Sequence, residues 1–142
     1  MAARDVAGKF MEAFNAHDEA GIRSLSADDA TIEAPGDIKL EGAEGVTKYA
    51  MTWLNAFPDA RTTVRHEMEA GDWVVQEFTF EGTHQGTLSS PAGDIPATNR
   101  SLSGRGVQLL RIQGDKLAET HLYFDQVQVM TQLGLMPEPA TA

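Results

Sequence analysis

The sequence predicts an α+β fold, with N-terminal helices packed on a curved antiparallel β-sheet. Three observations carry that expectation. Apolar residues recur at helical spacing as far as Phe57; the pattern changes to period two from Arg61 onward; and short turns containing Gly and Asp separate the period-two segments.

Residues 5 to 17 place Val6, Phe10, Ala13, Phe14 and His17 on one stripe, with Arg4, Lys9 and Glu12 left for solvent, which predicts a first helix. "HDEAGIRSL" predicts a short second helix through Ala20, Ile22 and Leu25, with Asp18 as its N-cap. "SADDATIEAPGD" and "DIKLEG" read as turn and extended chain. The strongest helical period follows in "AEGVTKYAMTWLNAFPDA", where Val46, Tyr49, Ala50, Trp53, Leu54 and Phe57 share a face and Pro58-Asp59 ends the helix.

Beyond that stop, "RTTVRHEMEA", "DWVVQEFTFEGTHQG" and the pair within "GRGVQLLRIQGDKLAETHLYFD" alternate as strands. "EAGDW" and "IQGDKL" supply the Gly and Asp that tight hairpins need, so an antiparallel meander is expected. Gly82, Gly86, Gly104 and Gly106 lie where bends or bulges would help the sheet curl into a cone. The segment 88–101, "LSSPAGDIPATNRS", is expected as a loop over a cavity mouth. Gln126 to Leu133 is expected as a closing helical turn with Gly134 as C-cap, followed by a loose tail over 135–142.

The 142 residues fit one domain large enough to bury a core with an internal cavity. Twenty-one acidic residues against 11 basic ones give a net charge of −10, with no run of Lys or Arg to neutralise a phosphate backbone or an anionic lipid surface. Nucleic acid and membrane are therefore not expected as partners. The absence of a long apolar run and of an apolar leader in "MAARDVAGKF" points to the cytoplasm. Without cysteine, any chemistry rests on carboxylates, imidazoles and hydroxyls. "HDE" and "RHEME" lack a second imidazole at a useful offset, so no metal site is expected.

In order along the chain, "FNAHD", "FPDA", "GDWVVQEFTFEGTHQG", "IPATNR" and "GDKLAETHLYFDQVQVMTQLG" resemble the SnoaL-like polyketide cyclases of the NTF2-like superfamily. The resemblance implies an NTF2-like cone and a homo-oligomer, dimer or tetramer. It also implies cofactor-free, intramolecular aldol closure of a polyketide-like substrate. The superfamily scaffold also serves isomerases, dehydratases, epoxide hydrolases and non-catalytic binding proteins, so these stand as alternatives. The resemblance places the general acid/base at Asp125. It also puts Asn99, in "Ala97-Thr98-Asn99-Arg100", where the family has glycine, so a different loop geometry is expected there.

A carboxylate acts as base toward a carbon acid only where its charged form is made costly, so burial of Asp125 among Tyr123, Phe124 and helix aromatics is expected. The competing role is capping, because Asp125 precedes the helical "QVQVMTQL". Strand alternation groups His121 with Tyr123 and Asp125 in the cavity, although four residues of strand separate the two ends by roughly 13 Å. His84 groups with Phe78 and Phe80, where it would donate to a developing enolate oxygen. Tyr49, Trp53, Phe57, Met68, Phe78 and Phe80 are expected to line a pocket for a small hydrophobic or aromatic substrate, with Arg105 and Gln108 reaching a carbonyl. For most of these residues, packing in the core or exposure to solvent is the simpler alternative.

Overall fold

The computed structural model describes residues 2–91 and 93–136. Two helices, α1 (Ala3–Asn15) and α2 (Glu19–Leu25), lead into strands β1 (Ser26–Ala34) and β2 (Ile38–Glu41) and then helix α3 (Gly42–Ala56). Strands β3 (Arg61–Ala70), β4 (Trp73–Thr83), β5 (Ser101–Gln113) and β6 (Lys116–Phe124) follow, and α4 (Gln126–Gln132) closes the order. The six strands form one sheet in the order β2-β1-β6-β5-β4-β3.

The expected meander accounts for β3 to β6, which pair antiparallel in sequence order. The sheet as a whole is mixed, because β1 lies parallel to β6, with Ile32 opposite Thr120. The extended chain after α2 thus adds two further strands to one edge. Gly71 at φ 61° makes the first hairpin turn, and Gly114 with Asp115, at 56° and 61°, makes the second; the left-handed region they occupy is the one such turns require.

One face of the sheet is covered. α1 buries Val6, Ala7, Phe10, Met11 and Ala13, and each large apolar side chain so removed from water contributes roughly 1.5–3 kcal/mol. α3 buries Val46, Tyr49, Ala50 and Leu54 on the same side. Asp18 caps α2 by accepting from Gly21 N at 2.9 Å. On β5 the buried residues are Leu102, Gly104, Gly106, Gln108, Leu110 and Ile112, so every second residue faces the helices.

Two local features set the shape of that face. A bulge between Val64 and His66 shifts the parity of β3. At Gly106 a Cβ would lie 2.6 Å from Phe78 Cζ and 2.9 Å from Tyr123 O, so only glycine admits the Phe78 ring there. The 88–101 connection begins with a Leu88–Ile95 bridge and ends at Asn99. Asn99 adopts φ 59°, the left-handed conformation that glycine takes freely and asparagine tolerates. Of the expected tail, Leu135 and Met136 are exposed, and residues 137–142 lie outside the described residues.

Candidate functional site

Between α1, α3 and the inner face of β4, β5 and β6 lies an apolar chamber of about 100 Å³. Beside it lies an outer chamber of about 380 Å³ bounded by the β1–β2 turn, α3, α4 and Leu88 to Pro91 with Ile95. Tyr49, Trp53, Phe124 and Val129 border both, so they form the boundary between the two chambers. The 88–101 loop thus borders the mouth.

Tyr49 and Trp53, one turn apart on α3, line both chambers; Phe78 and Phe80 form the β4 wall of the inner one. Trp53 meets Phe80 and Phe124 edge-on, with centroids 5.7 and 5.5 Å away, which fixes the orientation of its ring. Tyr49 is buried, and burial pushes its hydroxyl up to about 12, opposed in part by the Trp53 side chain. The phenol therefore keeps its proton well past neutral pH. Tyr49 lines the chamber as the sequence expected of it.

Asp125 lies at the rim of the inner chamber. It is exposed, and its Oδ1 accepts from Gln128 N at 3.1 Å as the N-cap of α4. The burial expected for it is absent, because the chain turns outward after Phe124 to start α4. Its other carboxylate oxygen accepts no hydrogen bond from any described residue.

His121 and Tyr123 are on the opposite face of the sheet. On β6, Thr120, Leu122 and Phe124 line the chamber, so the alternation expected for this strand is reversed. His121 instead lies between Glu119, at 2.5 Å, and Glu33, at 3.4 Å, and beside the Trp73 ring. It holds the Glu119 carboxyl below the usual carboxylate range, with Arg111 adding to the effect. Tyr123 is 59% exposed.

His84 is fully buried but outside both chambers. Its ring stacks on Phe57 at 5.3 Å, and Nδ1 is 3.0 Å from Thr98 Oγ1. Thr98 N also donates to Nδ1 at 3.3 Å, which leaves the proton on Nε2. Burial lowers the imidazole pKa, and the Gly86 backbone opposes this more weakly. The donor role toward an enolate is not available from behind Phe57.

Phe57 is itself core, stacked on Trp53 at 5.9 Å and borders neither chamber. Met68 is 64% exposed on the outer face, because the β3 bulge turns it outward and brings Glu67 inward. Arg105 borders the chamber only at its rim and is exposed. Gln108 is buried in the chamber wall, where its Nε2 donates to Gln76 Oε1 at 2.9 Å and to Met11 Sδ at 3.4 Å. Among the described residues no group of three or more His, Cys, Asp or Glu is placed to hold a metal ion. No helix among them is long and apolar enough to cross a membrane.

A helix-covered cone with an apolar chamber and a carboxylate at its rim defines a class of small-molecule sites built on one sheet face. The SnoaL-like polyketide cyclase family matches residues 4–133, and the chain belongs to that family. A curated relative, aklanonic acid methyl ester cyclase DnrD of Streptomyces peucetius, is 33% identical over 98 residues, which is 68% of this chain and 64% of that protein's length. The chain thus matches slightly under two thirds of that relative's length. IdmH of Streptomyces antibioticus, a candidate polyketide cyclase, superposes with a TM-score of 0.77 at 26% identity, covering 94% of this chain and 99% of its own. A SnoaL-like protein from Jannaschia Sp. CCS1 reaches a TM-score of 0.82 at 17% identity over 95% and 93% of the two chains, which shows the shared fold.

Proposed function

We propose that the protein is a cofactor-independent polyketide cyclase that closes a ring by intramolecular aldol addition, with Asp125 as acid and base. The observation that carries this reading is the carboxylate of Asp125 at the rim of an otherwise apolar chamber, in a chain of this family. Asp125 removes a proton from a carbon acidified by flanking carbonyls, and the enolate carbon attacks a ketone of the same molecule. One C–C bond forms, the ketone π bond becomes an alkoxide, and Asp125 returns the proton to that oxygen. The Tyr49 hydroxyl donates to the enolate oxygen as charge gathers there.

The free protein leaves Asp125 in water, so in this mechanism the substrate supplies the missing desolvation. A flat ligand spanning both chambers covers the free carboxylate oxygen and raises the cost of its charge at the moment of proton transfer. The same reading includes assembly as a dimer or tetramer, supported by Val75, Val107, Leu109, Met68 and Tyr123 on the outer sheet face.

Asp125→Asn and Asp125→Ser both keep an oxygen for the α4 cap. Each is expected to fold with a circular dichroism spectrum like the parent and to close aromatic polyketide methyl esters about 10²–10⁴ more slowly. Full turnover by either variant would refute the assignment. The cap favours a second reading, a binding protein without catalysis, for which ring closure would be absent in the parent protein as well.

A further inference from the structure

The chamber wall holds a chain of side chains that runs from the surface to the cavity in one direction. Arg4 Nε pairs with Glu67 Oε1 at 3.0 Å. Glu67 Oε2 accepts from Gln76 Nε2 at 2.8 Å, and Gln76 Oε1 accepts from Gln108 Nε2 at 2.9 Å. Gln76 is fully buried, so its amide has no water to fall back on. The order of atoms follows from its first member. An ionised carboxylate only accepts, so Gln76 must turn its NH₂ toward Glu67; a reversed amide would set oxygen against oxygen at that distance. Gln76 then offers only its oxygen to Gln108, which must answer with its own NH₂. Met11 Sδ takes the second N–H of Gln108.

Gln108 is left with Oε1 for the chamber. That oxygen accepts from no described residue and, unlike the sealed hydroxyl of Thr120 on the same wall, it is not walled off. The carbonyl recognition expected of Gln108 from sequence needs a donor, and both of its donors are occupied.

We infer that the chamber selects ligands bearing a hydroxyl on their innermost edge, read by Gln108 Oε1, whose orientation Glu67 sets through Gln76. This rests on the reading of the chamber as the ligand site, and it deepens that reading: the substrate class is narrowed to polyketide-like molecules with a phenolic or enolic O–H at the buried end. Gln108 determines specificity; Gln76 and Glu67 are positioning residues. The β3 bulge makes the arrangement possible, because without it Glu67 would face outward.

The probes are 2-naphthol, naphthalene and 2-methoxynaphthalene, titrated into ¹⁵N-labelled protein and followed by amide chemical shifts. The parent is expected to bind 2-naphthol roughly three- to tenfold more tightly than either of the others, the range of one neutral hydrogen bond. Gln108→Met should erase that preference while still binding naphthalene. Glu67→Gln removes the acceptor-only anchor, so both amides lose their bias and the preference should fall toward unity with naphthalene affinity unchanged. That ratio is a readout a purely structural loss would not move. Equal binding of the three compounds by the parent overturns this inference alone, as does a Gln108→Met protein that keeps the preference. A full preference retained in Glu67→Gln overturns the relay. If the parent binds none of the compounds, the inference and the reading of the chamber as a ligand site both fall.

Discussion

His84 shows how much a single side chain's surroundings decide. Its ring sits between Phe57 and the Thr98 backbone, and its Nε2 has no hydrogen-bond partner among the described residues. Burial lowers its pKa from the ordinary 6.5. As pH falls through that ordinary value the unfolded chain takes up a proton that the folded chain refuses. The stability His84 contributes is therefore complete above about pH 6.5 and drains away as pH falls from there to the folded value. Urea denaturation should give a lower midpoint at about pH 5.5 than at about pH 7.5, and His84→Asn should flatten that dependence. Asn keeps an acceptor for Thr98 but does not titrate; it forfeits the stacked ring, so its stability should be lower at both pH values. The sequence marked His84 by its aromatic neighbours on the strand, which is also the pattern of a core histidine, and pattern alone does not separate the two. Asp125 was legible as the cap of α4, because its place before "QVQV" is a local fact, whereas its exposure was not, since that depends on where the chain turns after Phe124.

At the level of elements, α3 and β3 to β6 follow from periodicity and turn chemistry, since each pattern is complete within its own segment. What local pattern misses is phase. β6 carries apolar residues on both faces, Leu122 and Phe124 inward and Tyr123 outward, so alternation does not say which set is covered. On β3 the bulge inverts the phase midway, which turns Met68 out and Glu67 in. Gly106 is the element-scale feature that lets the Phe78 ring of β4 lie against β5 beside the chamber. Gly106→Ala is expected to cost about 1–3 kcal/mol, because the new methyl meets both the Phe78 ring and the Tyr123 carbonyl. Combining it with Phe78→Leu should recover part of that loss in thermal denaturation, whereas simple additivity of the two would exclude this packing account.

For the molecule as a whole, the outer sheet face carries the next expectation. Tyr123 and Met68 are 59% and 64% exposed there, and Val75, Val107 and Leu109 lie between them as half-buried neighbours. Sedimentation should give a mass that is a multiple of 15.4 kDa, and Val107→Glu should shift it to the monomer while leaving the chamber intact; a monomeric parent would remove assembly from the proposed function. The overall architecture was legible because the three long-patterned helices precede β3 to β6, and those four strands pair consecutively. The β1–β6 pairing was not, since it joins segments about ninety residues apart and leaves no mark in either. That pairing governs when the site comes into being during synthesis. β6 supplies one wall of the chamber and the seat for β1, and it leaves the ribosome after β1, α1 and α3. Until it does, β1 has only β2 beside it in the sheet and the chamber lacks one wall, so the nascent chain carries an unfinished cone with exposed apolar surface that a chaperone has reason to hold.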